Sequence, residues 1–325
     1  IPQFAQEVAL PPQAIMRSME YINKLLRELE EAKAEKIDEL DIDKPAVRDG
    51  LLLAYCFAAR MLAVRYLDIE LLDRLEEEYV SRIIDKTAKL EARRHILNAR
   101  YGIFVRLGWL KEAENVLMKH KQVLEGLRKH YKQSKDIRPF LEKGFERVYY
   151  SDMGVIEHSL GLICLLRGSP QDIQEAIKHF EASERYASKI DYYRGSAIAQ
   201  LDKAGCLLIL ASPEEEKMVR EALQLLDEAA GIFVRFRNYY HLIITLWRMG
   251  LANIMLKNDN EALKSAEVAL DVVLNRMQHA APEDVSIALM VAAYACITAQ
   301  KATKSIVKLA SELSKGQVGE PEWYY

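Results

Sequence analysis

Apolar residues recur every third or fourth position through most of this chain, the spacing that turns one face of a helix inward. Ile15, Met19, Ile22, Leu25, Leu26 and Leu29 follow it after Pro11-Pro12 and predict a helix to about Lys36. Asp41 to Pro45 interrupts the pattern, and Pro45 suits the first turn of a helix running to about Tyr66. A third helix is predicted over 68–86. Gly108, after Leu107, reads as a left-handed helix stop, with the next helix starting at once. That helix carries a basic segment ending near Arg138-Pro139, and 140–167 reads as one long helix closing on Gly168. Ser169-Pro170-Gln171-Asp172 restarts the chain with a capping serine, a proline in the first position and an acid in the first turn. Ser212-Pro213-Glu214-Glu215 offers a capping box, Lys257-Asn258-Asp259-Asn260 a short turn, and Ala281-Pro282-Glu283-Asp284 the start of the last hairpin. The sum is an all-α chain of about 13 or 14 helices joined by short turns, with almost no strand.

A second pattern lies over the first. Leu160-Gly161, Ala204-Gly205 and Met249-Gly250 stand 44 and 45 residues apart, and each is followed by a Glu-Ala pair: Glu175-Ala176, Glu221-Ala222 and Glu261-Ala262. A glycine inside a helix costs about 1 kcal/mol against alanine. Repeated at a near-constant period, it implies helices that approach too closely for larger side chains, with the small residue of one helix against the alanine of the next.

At these residues the chain resembles the tetratricopeptide repeat family. Leu107-Gly108-Trp109-Leu110-Lys111-Glu112-Ala113 with Leu117 fits the turn and second helix of a unit. Leu160-Gly161 with Gly168, Glu175-Ala176-Ile177, Phe180 and Ser183 fits a whole unit, and Ala204-Gly205 with Ala222, Leu226 and Ala229 fits another. Met249-Gly250 with Ala262, Ala266 and Ala269 fits a fourth, although lysine stands where the turn glycine is usual. The match covers about residues 92–279. Its period exceeds the usual one of about 34, so longer helices are expected, as in the arrays of regulatory ATPases and transcription regulators. The resemblance implies a right-handed α-solenoid of antiparallel helix hairpins over 91–315. Residues 1–90 would form degenerate repeats or a cap, and 316–325 a flexible tail.

Composition narrows the function classes. The formal charge of -3 argues against a surface built throughout for nucleic acid. Local patches remain: Lys119, Lys121, Arg128, Lys129, Lys132, Lys135 and Arg138 cluster against Glu125 and Asp136, a candidate site for an anionic partner. An acidic run, Asp68, Glu70, Asp73, Glu76, Glu77 and Glu78, precedes it. Cys56, Cys164, Cys206 and Cys296 lie far apart in apolar stretches and read as reduced core residues of a cytoplasmic protein. No window has the length and hydropathy of a membrane span. The chain opens with Ile1, as a piece of a longer protein would.

Enzyme chemistry finds no support. There is no GxxxxGK phosphate loop, HExxH or GxSxG, and the seven histidines are dispersed, so no catalytic residue, metal or cofactor is expected. Binding is the better reading, and the family resemblance says where. Its first helices line a concave groove, and the matching positions here are His95, Asn98 and Arg106, then His158 with Leu162 and Leu165, then Asp202 with Cys206 and Ile209. The fourth unit supplies Trp247, Arg248, Leu251 and Met255. The lysines that grip a terminal carboxylate in chaperone-binding members are missing, with Asn98, His158, Asp202 and Trp247 in their places. The expected partner is therefore a protein or peptide with hydrophobic side chains, an amphipathic helix among them. Trp247 is the candidate anchor, with packing in the core as its other reading. Expected functions are a non-catalytic scaffold or the sensing module of a larger signalling ATPase or transcription regulator. Self-association stays open.

Overall fold

The computed structural model describes residues 12–31, 44–133, 139–212, 215–277 and 282–314. Among them are thirteen α-helices and no strand. The helices are α1 (Pro12–Glu31), α2 (Lys44–Tyr66), α3 (Ile69–Arg74), α4 (Lys86–Arg106), α5 (Leu110–Gln133), α6 (Pro139–Arg167) and α7 (Pro170–Ser188). They continue with α8 (Tyr193–Leu210), α9 (Glu216–Arg235), α10 (Tyr239–Met255), α11 (Asp259–Arg276), α12 (Pro282–Thr298) and α13 (Lys304–Ser314). The end of the first predicted helix, the close of the basic segment near Arg138 and the 316–325 tail lie outside the described residues. None of the described helices is long and apolar enough to cross a membrane.

The helix predicted over 68–86 is broken. After α3 the backbone widens into a π turn, Leu75–Tyr79, then tightens into a 3-10 turn, Val80–Arg82. Leu72, Leu75, Val80 and Ile83 are all buried across this break. Buried Asp49 fixes the exit by accepting from the Ile84 and Asp85 amides at 3.0 and 2.6 Å.

One turn geometry recurs. A residue in the left-handed region closes a helix, and the next residue's N–H reaches back to a carbonyl five positions earlier: Trp109 to Phe104, Asn238 to Phe233, Asn258 to Asn253 and Lys301 to Cys296, at 2.8 to 3.1 Å. The left-handed residues are Gly108 but also Arg237, Lys257 and Gln300, with φ of 53°, 59° and 51° for the last three. At Asn238 and Asn258 the bonded residue is also the cap of the next helix, so the chain reverses within two residues. Non-glycine residues are strained there by roughly 1–2 kcal/mol. Lys257→Gly is therefore expected to raise the melting temperature, by about 0.5–1 kcal/mol of stability after the entropy of a freer unfolded chain is subtracted. Gly168→Ala, at φ 76°, should lower it.

Other starts hold in part. Ser169 caps α7 by accepting from the Asp172 amide at 3.1 Å. At Ser212 only the reciprocal half of the capping box forms, Glu215 accepting from the Ser212 amide at 2.9 Å, and α9 begins after it.

The chain divides into two compact units, residues 1–156 and 157–325, the division falling inside α6. In the N-terminal unit α2 packs on α1 and α4, and α4 on α5. Its core holds Leu52, Cys56, Ala59, Leu72, Ile96 and Ile103. In the C-terminal unit each helix from α7 to α12 packs on its successor, and α10 also packs on α8 and α12. Phe180, Phe233, Leu226, Ala262 and Ala266 are fully buried.

The glycines do close-packing work, but not against the expected alanines. A Cβ on Gly161 would lie 2.7 Å from the Phe180 ring, and one on Gly205 would lie 2.9 Å from the Arg248 guanidinium carbon. Gly250 faces Val291 at an ordinary 3.6 Å. At Gly161 and Gly205 the partner is thus a large side chain for which the glycine makes room, whereas at Gly250 an added methyl would make only an ordinary contact.

Candidate functional site

The groove positions fall in both units. In the N-terminal unit His95 is half-buried on α4, edge-on to Phe57 with ring centres 5.1 Å apart. Burial, and then the charges of Arg94, Arg60 and His120, push its pKa down to about 3. Asn98 is half-buried, and Arg106 is exposed with Nη1 donating to the Val64 carbonyl at 3.0 Å.

Sequence reasoning missed the ion cluster beside His95. Arg94 donates to Glu91 at 2.7 Å and to Asp152 at 2.6 Å, joining α4 to α6 across 58 positions. His120 of α5 is 4% exposed, with Nε2 3.8 Å from Asp152. Burial pushes its pKa down to about 4, Asp152 opposing. No local signal marks such a pairing, because its partners meet only when three helices pack.

In the C-terminal unit three of the groove positions meet. His158 Nε2 of α6 lies 2.9 Å from Asp202 Oδ2 of α8, and Arg248 Nη1 of α10 donates to Asp202 Oδ1 at 3.0 Å and to the Leu201 carbonyl. Burial alone would raise the Asp202 pKa, but His158 and Arg248 outweigh it and hold the carboxyl below its ordinary value. Gly205, one turn after Leu201, leaves the space in which the guanidinium lies. Nearby on α10, His241 Nδ1 is 2.9 Å from Asn238 Oδ1 and the ring stacks on Phe233. Burial pushes its pKa down to about 4.

The apolar groove positions separate by burial. Leu162 and Leu165 pack on the small cluster of Cys164, Ile173, Phe180 and Cys206, and Cys206 is itself buried. Half-buried Trp247 packs against the main core. Leu251 and Met255, one and two turns further along α10, are half-buried, and Ile209 is 60% exposed. Aligning the left-handed residues Lys257 and Gln300 sets α12 in register with α10. Leu251 then corresponds to Tyr294, 51% exposed, a position the sequence reading did not select.

The basic patch is partly neutralised from within. Arg128 grips Glu146 with two hydrogen bonds, at 2.9 and 3.0 Å, reaches Tyr150 Oη at 3.0 Å and lies 4.4 Å from the centre of the Tyr149 ring. The bond to Glu146 raises its pKa further. Lys132 is 3.6 Å from the same carboxylate, and Lys121 is half-buried. Lys129 and Lys132 line a shallow depression of about 420 Å³ with Glu125, Gln133 and Tyr149. Lys135 lies outside the described residues.

Among the described residues no group of three His, Cys, Asp or Glu side chains could hold a metal ion. No family model matches this chain, and no curated protein is similar to it at a significant level.

Proposed function

We propose that the chain is a tetratricopeptide-like, right-handed solenoid that binds a protein or peptide without catalysing a reaction, using its first helices as the docking surface. The observation that carries the reading is the equivalence of Leu251 and Tyr294: two packed helices, α10 and α12, place partly or largely exposed apolar side chains at the same register. Met255 extends the strip on α10, while the Asp202–Arg248 pair on α8 and α10 supplies a fixed polar border. A preformed surface loses little ordering entropy on binding, and alternating apolar anchors suit an amphipathic helix. Trp247 contributes through the core it packs on, so it supports the floor of the strip.

A second reading, a sensing module, has support from the His158–Asp202–Arg248 chain. It ties α6, α8 and α10 together, so a ligand that competes for Asp202 would loosen three helices at once.

The binding reading is tested by selecting amphipathic peptides from a random library on the whole chain and measuring their affinity for two variants. Leu251→Ser and Tyr294→Ala are each expected to weaken binding roughly tenfold or more, with melting temperatures near wild type. Affinity that survives both substitutions sinks the reading.

A further inference from the structure

We infer that the edge of the C-terminal unit formed by the α7–α8 and α9–α10 turns is a docking surface for single-stranded nucleic acid, with tyrosine rings that stack on bases and arginines that meet phosphates. The two turns are built alike. Asp191 and Arg237 take the left-handed conformation, at φ 54° and 53°, and the amide that follows each, of Tyr192 or Asn238, donates to a carbonyl five positions back at 3.0 or 2.9 Å. Lys189 and Arg235 stand two residues before that position, and an exposed ring follows it, Tyr193 two residues on in the first turn and Tyr240 three residues on in the second. α8 packs on both α9 and α10, so the two turns lie at the same end of their helices. Burial, then the charges of His158 and Arg194, hold the His241 pKa down, which places Arg194 of the first turn within electrostatic reach of the second.

Charge and exposure set this edge apart from an ordinary solvated face. Elsewhere in the unit exposed cations are answered by acids on their own helix: Lys178 by Glu175, Arg220 by Glu216 and Lys264 by Glu261. At the edge Arg185, Lys189, Arg194, Arg235 and Arg237 are all exposed, and Asp191 is the one acid in residues 185–194 and 229–241. Arg194, Arg235 and Arg237 have no ion pair among the described residues. Arg194 lies in the first turn of α8, where the helix dipole disfavours a cation, so helix stability does not account for it. Tyr193 is 54% exposed, and Tyr240 and Phe236 are 41% exposed. A strand with unstacked bases presents rings and phosphates in alternation, and aromatic side chains interleaved with cations match both. A duplex keeps its bases within the stack, and an acidic peptide would leave the tyrosines without a partner ring. An anionic membrane would engage the arginines, but Arg235, Arg237 and Asn238 interrupt the apolar side chains that insertion needs.

The test is fluorescence anisotropy of a labelled oligothymidylate titrated with the whole chain at low salt. The variants are Arg194→Glu combined with Arg235→Glu, Tyr193→Ala, Tyr240→Ala, and Lys129→Glu combined with Lys132→Glu in the basic depression of the other unit. The expected result is binding by the wild type that weakens as salt is raised and exceeds binding of a duplex of the same length. The arginine reversals should weaken it roughly tenfold or more and each tyrosine variant about fivefold or more, with helicity unchanged, while the lysine reversals leave the edge contribution intact. All four edge residues are exposed, so the variants are expected to fold. No binding by the wild type at low salt overturns the inference, as does binding that only the lysine reversals reduce. Binding that the arginine reversals abolish but neither tyrosine variant alters overturns it too, because any polyanion would then serve. So does edge-dependent retention by anionic phospholipid vesicles without retention of the oligonucleotide, which would assign the surface to a membrane.

Discussion

Acidification from pH 7 to pH 5 is expected to weaken the N-terminal unit steeply. His95 and His120 have pKa values pushed down to about 3 and about 4 by burial, against about 6.5 in an unfolded chain. Between those limits the unfolded state binds two protons that the folded state refuses. Stability therefore rises with pH: it is complete above pH 6.5, and it is lost as the pH falls toward 4. Each proton contributes a slope of about 1.4 kcal/mol per pH unit, so the pair gives about 3 kcal/mol per pH unit near pH 5. The C-terminal unit, with His241 alone pushed down to about 4, should show about half that slope from this source. Urea midpoints followed by hydrogen exchange, unit by unit, measure both. Replacing His95 and His120 by glutamine should flatten the first curve, whatever it does to absolute stability. A pH-independent midpoint between 7 and 5 would show that these rings accept protons in the folded state.

The contact between Gly161 and Phe180 sets the second large effect. Phe180 is 0% accessible, and its ring leaves no room for a methyl group on Gly161. Phe180→Ala should cost about 3–5 kcal/mol through the lost burial and the cavity. Gly161→Ala should cost about 1–3 kcal/mol by overpacking, despite the better helix propensity of alanine. Gly231→Ala, with nothing within 4 Å of the added carbon, should instead gain about 0.5–1 kcal/mol. The double variant of Gly161 and Phe180 should lose less than the sum of the singles, because the ring that the new methyl would strike is gone. Additive losses would place the two residues apart.

Those two residues also show how much of the fold was legible. The periodic apolar positions and the local stop signals placed most helices, since a cap such as Ser169 or a left-handed Gly168 acts within a few residues of itself. Two of the three recurring glycines, Gly161 and Gly205, do mark close contact, but against Phe180 and Arg248 and not the expected alanines. Nothing in the sequence near Gly205 says that Arg248, 47 positions from the Leu201 carbonyl it reaches, will lie over it. Arg237 gave no sign of a left-handed position, and Lys257, standing where the turn glycine is usual, adopts that conformation without one, because the hydrogen bonds around both residues hold it. The π and 3-10 turns after α3 interrupt a segment whose apolar spacing reads as helical throughout, so periodicity alone could not reveal them.

The candidate site divides along the same line. The family resemblance selected His158, Asp202 and Arg248 as groove positions, and the structure brings the three side chains together. It could not show that Arg128 of the basic patch is already held by Glu146, or that Trp247 packs on the core. Tyr294 was not selected for the groove because the repeat glycine has no counterpart on α12. Its equivalence to Leu251 emerges only from the shared turn geometry at Lys257 and Gln300.

Site-specific photo-crosslinking with a selected amphipathic peptide tests the docking surface most directly. A crosslinking side chain is placed at Leu251 of α10, or at Val234 of α9, which is 57% exposed and lies outside the strip. The account expects peptide adducts from position 251 and none from 234. Adducts from 234, with none from 251, would contradict it and move the binding surface off the first helices.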